Sequence, residues 1–295
     1  MVARIASLGA GTVYRLLALL LIERTIASDF GPGSYGDYKF AFTIVGIAVA
    51  IGGLGFPTSI VHMLAARRRD RRGVSGLVLL TSGLVATVSI VAIVILNVRP
   101  LQEALGVRDA SLFLWMSPAI CVLALNLLLV GVLSSHNKVL SNVLINDFLQ
   151  PTSLLLMLLA TRGQATIHDV ASYLVASMLL ALLANTVVVT RAIGFEGGGV
   201  GDARREVASQ HMPYLVPVYL NAVLVVLALS IDKMILGRLT DSAQIGLYFS
   251  AFSLASLLSL VLAVPLFIFF PLASAYYAKG KWRLFDMLHA LAGKW

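Results

Sequence analysis

The chain has 295 residues, 59% of them hydrophobic and 12% charged, with a mean hydropathy of +0.92. A soluble domain usually carries about 25% charge. Too few charges remain here to cover a water-facing surface, which excludes a soluble enzyme, a disordered chain and a nucleic-acid-binding domain. The net charge of +8, from 22 basic and 14 acidic residues, fits a membrane protein that concentrates Lys and Arg in its cytoplasmic loops. The single cysteine, Cys121, rules out an internal disulfide and a cysteine-based zinc cage.

A membrane-spanning helix needs about 20 mostly apolar residues, and eight stretches qualify. In chain order they are Ile5 to Ala27, Tyr38 to Ala65, Val74 to Leu96, Leu112 to Leu133, Val139 to Ala160, Val170 to Val189, Met212 to Leu236 and Ile245 to Ala275. Backbone groups in lipid must be satisfied internally, so these are helices rather than open strands, and the predicted fold is an all-α polytopic membrane protein. The long second and eighth spans are expected to tilt or kink, with Pro57, Pro265 and Pro271 as kink sites and Gly52, Gly53 and Gly55 loosening the second. A signal peptide is the competing reading of the first span. Arg15 inside the segment and the lack of a small-x-small cleavage site favour a retained helix.

The N-terminus and the loops after even-numbered spans hold thirteen Lys and Arg residues, including the Arg67 to Arg72 run. The opposite loops hold five: Lys39, Arg99, Arg108, Arg162 and Arg238. This places the N-terminus in the cytoplasm of a multi-pass cell-membrane protein. The arginine run reads as a topology signal before it reads as an anionic-lipid or nucleic-acid patch. The glycine-rich stretch at Gly197 to Gly201 lacks the preceding strand and the Lys-Ser/Thr pair of a phosphate loop. It is read as part of a flexible cytoplasmic linker.

Sliding the chain by 210 residues reveals an internal repeat. Leu17, Ala18 and Leu19 meet Leu227, Ala228 and Leu229, while Gly36, Tyr38, Ala41 and Phe42 meet Gly246, Tyr248, Ala251 and Phe252. With a small slip, Phe56-Pro57 meets Phe270-Pro271. The seventh and eighth spans thus repeat the first and second in the same orientation, a parallel repeat of six-helix halves known among transporters. The expected organisation is a six-helix lobe over residues 1–195, a cytoplasmic linker over 196–211 and an incomplete second lobe over 212–295. The segment Arg283 to Trp295 looks like the start of a ninth span, so the chain is expected to be a fragment of a longer protein or a reduced architecture.

Several ordered segments resemble polysaccharide-biosynthesis flippases. Phe30-Gly31-Pro32-Gly33-Ser34-Tyr35-Gly36-Asp37-Tyr38 is similar to the segment after their first helix, and Gly53-Leu54-Gly55-Phe56-Pro57 to the end of their second. Asp232-Lys233-Met234-Ile235-Leu236-Gly237, then Ile245-Gly246-Leu247-Tyr248 and Pro271-Leu272-Ala273-Ser274, resemble their seventh and eighth helices. The chain departs from many relatives at Ser28, where they carry Arg; Arg238 holds the corresponding place in the second repeat. The resemblance implies the multidrug/oligosaccharidyl-lipid/polysaccharide exporter superfamily, alternating access between two six-helix lobes, and a lipid-linked oligosaccharide substrate. It implies neither covalent chemistry nor a cofactor.

The candidate site residues follow from the cost of an ionisable group within a span, a few kcal/mol on insertion scales, so that each should face a cavity or a partner. Arg15 lies mid-span, and Glu23 lies about 12 Å further out along an ideal helix, with Arg24 beside it. In the repeat Glu23 falls opposite Lys233, next to Asp232. On one reading Arg15 attracts the phosphate or pyrophosphate of a polyprenyl-linked sugar, and Glu23, Arg24, Asp232 and Lys233 form an outer network that makes and breaks, with a carboxylate there binding a coupling proton or cation. On the other the outer four are a static ion-pair cluster with snorkelling side chains.

On the fifth span Asn142, Asn146 and Gln150, with Asp147 adjacent, make a polar stripe at helical spacing, either a sugar path or glue between helices. Asn221 shares a helix face with Asp232 on the seventh span and reads similarly. Asn126 and Asn185 read as helix–helix hydrogen bonds, and Tyr35, Tyr38 and Trp282 as interfacial anchors. The five histidines are scattered and suggest no metal site.

The favoured reading is a flippase for lipid-linked oligosaccharides or polysaccharide repeat units, in contact with membrane lipids. The alternatives are a drug or cation antiporter, for which Asp147 is the one deep carboxylate of the first lobe, and a remnant without transport activity. A membrane glycosyltransferase or ligase is disfavoured by short outward loops that hold no acidic pair.

Overall fold

A computed structural model describes residues 2–65, 71–136, 138–194, 200–207, 211–257, 276, 280 and 282–292. Arg67 to Arg69, Gly197 to Gly199, Pro265, the segment from Phe270 to Ser274, Lys279 and Lys281 lie outside the described residues. The architecture is all-α. Helix α1 runs Val2–Gly52, α2 Phe56–Ala65, α3 Arg71–Leu96, α4 Arg99–Leu105, α5 Ala110–Met116 and α6 Pro118–Ser135. There follow α7 (Val139–Asn142), a π-helical segment (Val143–Leu149), α8 (Gln150–Ala160), α9 (Ile167–Ile193), α10 (Val200–Glu206), α11 (Met212–Ala228), α12 (Ile231–Leu239), α13 over 242–257, and α14 (Trp282–Ala292).

Among the described residues five helical stretches are long and apolar enough to cross a membrane, or six if the bent pair α11 and α12 is one span. The first, Gly9–Leu64, has 56 residues, about 84 Å at 1.5 Å per residue, against a hydrocarbon core of about 30 Å. It therefore holds the first and second spans together. They fold at Gly31, whose φ of 76° and ψ of 169° lie in a region open essentially only to glycine. Pro32 follows and cannot donate to the preceding turn.

The remaining spans end on legible signals. Asp109 caps α5 by accepting from the Leu112 N–H, and Thr166 and Asp169 close a capping box on α9. Gly106 and Gly194 close α4 and α9 in the left-handed region. Helix α6 is apolar all round and accordingly central, touching α1, α2, α3 and α9. Part of the linker is ordered: α10 packs against α3 and buries Ala203 and, just beyond it, Val207.

The structure corrects two expectations. The seventh span is not one straight helix, because α11 and α12 meet at a 41° bend, so Asn221 and Asp232 share no continuous face. Tyr35 and Tyr38 are not interfacial anchors. The fold-back at Gly31 carries both into the core, at 1% and 6% exposure, and the Tyr35 hydroxyl donates to Glu23.

Candidate functional site

The polar groups of the membrane-spanning region collect in four places. The first joins the first and fifth spans. Arg15 Nη1 stands 3.4 Å from Asp147 Oδ1, with Arg15 half exposed and Asp147 largely covered. Tyr14 stacks on Phe148 at 4.4 Å and its hydroxyl shares a 2.6 Å hydrogen bond with Thr152. Gly11 permits this approach: a Cβ there would lie 2.5 Å from Val143 and 2.9 Å from the Asp147 carboxylate. The π-helical turn, which widens the backbone repeat to i→i+5, carries Asp147 at this crossing.

The second place is an asparagine cluster behind it. Asn185 Nδ2 donates to Asn126 Oδ1 at 2.6 Å and to Asn146 Oδ1 at 3.2 Å, and Asn126 Nδ2 donates to Asn146 Oδ1 at 2.8 Å. Asn146 in turn donates to Asn142 Oδ1 at 2.8 Å. The fourth, fifth and sixth spans are thereby tied together, as read for Asn126 and Asn185 in the sequence. The fifth-span stripe is only partly continuous. Asn142 and Asn146 pair, but the π turn adds a residue to the register before Gln150, which stays half-buried outside the cluster.

The outer charges do not form one network; they form two. Glu23 pairs with Lys39 at 2.5 Å and accepts from Tyr35 at 3.3 Å. Asp232 pairs with Lys233 at 3.2 Å and accepts from the Tyr248 hydroxyl. Lys233 Nζ also sits 4.3 Å from the centroid of the Phe252 ring. Arg24 is exposed and has no ion-pair partner among the described residues. Asn221 is exposed on α11, away from both pairs.

Sequence reasoning missed Lys39, Tyr248, Asp37 and Arg108. For Lys39 a signal existed. Glu23 and Lys39 each stand eight residues from Gly31, so a fold-back there sets them opposite. Arg108 donates to Ser242 Oγ at 2.9 Å, to the Gly237 carbonyl at 3.2 Å and to the Thr240 carbonyl. Ser242 donates to Asp37 at 2.6 Å, and Arg162 reaches Asp29 at 3.2 Å. These contacts gather at one end of the bundle, the Arg108 end.

Two cavities flank the crossing of the second span with α13. One, of about 770 Å³, lies between the first span and α13 and is lined by Glu23, Arg24, Ser28, Tyr35, Ser250 and Ser253 beside several leucines. The other, of about 560 Å³, lies between the second span, α3, α4 and α11–α12 and is apolar throughout.

The family model described as polysaccharide biosynthesis protein matches residues 3–276. The chain belongs to that family. Members of the polysaccharide biosynthesis family are membrane transporters rather than enzymes, so membership suggests a flippase or exporter role with lipid-linked polysaccharide substrates. No curated protein and no solved structure matches the chain. The site residues are therefore argued from their own geometry. For this family member that geometry offers a half-exposed arginine within a span, an arginine without an ion-pair partner among the described residues in a partly apolar cavity, and the Arg108 contacts at one end.

Proposed function

We propose that this protein moves lipid-linked oligosaccharides or polysaccharide repeat units across the cell membrane by alternating access. The observation that carries the reading is Arg15. It lies within an apolar span, yet its side chain is 49% exposed and only loosely held by Asp147 at 3.4 Å. A cation maintained there at a cost of a few kcal/mol is suited to an anionic group that passes through the bundle, such as the phosphate or pyrophosphate joining a polyprenol to its sugars.

The excess of Lys and Arg on the even-numbered loops sets the N-terminus in the cytoplasm. On that orientation the Arg108 end faces outward, and the Arg108 bonds to the segment 237–242 lie on that side. Residues 1–195 and 212–295 act as the two lobes, joined by the 196–211 linker. Transport through the lobes needs the Arg108 contacts to break and reform.

The test is Arg15→Ala, with membrane-inserted protein quantified in parallel. Transport is expected to fall to background at an unchanged level of inserted protein. Transport at the normal rate would remove the phosphate-binding role.

A further inference from the structure

Helix α14, Trp282–Ala292, lies beyond residue 276, where the family match ends, so membership assigns it nothing. Its 11 residues make about 16 Å of helix, roughly half the hydrocarbon core of a bilayer. They include Arg283, Asp286 and His289, so this segment does not itself cross the membrane.

The sequence of α14 is two-faced. At about 3.6 residues per turn, Leu284, Met287 and Leu288 fall along one side, with Phe285 at its edge. Arg283, Asp286 and Ala290 fall along the other. His289 marks the border, its ring stacked on Phe285 at 6.3 Å. The apolar side is not closed against the rest of the protein: Leu284 is 40% exposed and Met287 57%. In water that exposure forfeits the gain from burial. In a chain whose other helices cross a bilayer, the apolar phase within reach is the membrane itself.

The charge says which membrane surface fits. Lys279 and Lys281 stand just before α14 in the sequence, Arg283 opens its polar side, and Lys294 follows it. Against these four basic residues, Asp286 is the one acidic residue from position 276 to 295. A basic amphipathic helix of this kind suits the headgroup boundary of an anionic bilayer. On the orientation proposed above, the segment after the eighth span is cytoplasmic, and the anionic lipids of that leaflet attract basic segments.

We propose that α14 lies along the cytoplasmic membrane surface and docks on anionic lipid headgroups. Leu284 and Met287 enter the bilayer below the headgroups, Arg283 meets the phosphates, and Ala290 faces water. This docking is independent of the flippase reading, because it rests on a helix outside the transport lobes' candidate residues. It gives α14 a hold on the membrane that depends on lipid composition.

The experiment uses the full chain in nanodiscs, in a Cys121→Ser background, with a nitroxide spin label on Met287→Cys or on Ala290→Cys. Collisions of the label with oxygen, which dissolves in the bilayer, and with a water-soluble nickel chelate are measured by electron paramagnetic resonance. The discs hold phosphatidylcholine alone or mixed with phosphatidylglycerol. In the mixed discs the oxygen-to-nickel collision ratio at position 287 is expected to be severalfold above that at 290. The ratio at 287 is expected to fall severalfold in phosphatidylcholine alone. Lys281→Gln combined with Arg283→Gln is expected to remove the gain from phosphatidylglycerol.

Few collisions with either reagent at position 287 would mean that protein covers the apolar side, from the same chain or a second copy, and would overturn the docking. Oxygen-rich labels at both positions would place α14 within the bilayer, and nickel-rich labels at both would place it in water; either result overturns the docking as well. Equal ratios at 287 in the two lipid mixtures would overturn the anionic preference.

Discussion

Gly36 and Gly246 meet across the crossing of the second span and α13, and each is closed against the other's chain by the same relationship. A Cβ on Gly36 would lie 2.0 Å from the Ser242 carbonyl oxygen, and a Cβ on Gly246 would lie 2.0 Å from the Pro32 carbonyl oxygen. Pro32 and Ser242 are themselves 210 residues apart, as are Gly36 and Gly246. The contact is therefore reciprocal at the repeat spacing, and it leaves no room for a side chain. Asp37→Cys with Ser242→Cys, placed where the native pair stands at 2.6 Å, should form a disulfide readily. Adding Gly36→Val or Gly246→Val should each reduce its yield severalfold by parting the helices, read by gel mobility under oxidation in a Cys121→Ser background.

Arg108 ties the same end together through three acceptors on the segment 237–242. Arg108→Ala leaves two carbonyls and a hydroxyl without that donor and should cost about 1–2 kcal/mol. Arg108→Lys should recover only part of the loss, because one ammonium cannot reproduce the guanidinium fork. Hydrogen–deuterium exchange over 237–242 is the measurement, with Arg108→Ala faster than Arg108→Lys and both faster than the parent.

The asparagine cluster makes a prediction of size. Polar pairs between membrane helices average about 0.6 kcal/mol and reach about 1.7. Asn185 is fully buried and donates to both Asn126 and Asn146, so Asn185→Ala should lie at the upper end of that range. Thermal denaturation in detergent should show a lowered midpoint, and Asn185→Leu should not restore it, because the Asn126 Oδ1 acceptor stays without its donor.

The two hydrogen bonds from the Arg162 guanidinium hold the Asp29 carboxyl below its usual range, against an opposing burial effect, and Ser28 adds a third, weaker hydrogen bond. A carboxylate whose folded pKa is depressed contributes stability that is present above its unfolded value, about 3.9. That contribution is lost as pH falls through the folded value. Arg162→Ala should therefore lower the thermal midpoint slightly at pH 7 and make no difference once both forms of Asp29 are protonated. Melting curves from pH 7 down to about 2 would show the two proteins converging.

Much of the fold was legible because span length and hydropathy are set by the bilayer. The six spans up to Ile193 stand where the apolar runs place them, with the first two folded back at Gly31. The bend between α11 and α12 was not legible, since neither Leu229 nor Ser230 is a helix breaker by type. The site was legible as a set of costly residues but not as partners. Asp147 reaches Arg15 because Gly11 admits the fifth span, and Glu23 takes Lys39 rather than Lys233 because the fold-back at Gly31 brings Lys39 nearest. Arg108 looked like an ordinary loop charge, and only the tertiary approach of 237–242 gives it acceptors.

The most direct measurement is translocation of a fluorescent polyprenyl-pyrophosphate-linked oligosaccharide in proteoliposomes, scored by quenching of the label on the outer leaflet. The account predicts movement well above protein-free vesicles for the parent chain and none above background for Arg15→Ala inserted at the same level. A parent rate equal to protein-free vesicles, or an Arg15→Ala rate equal to the parent, would contradict it.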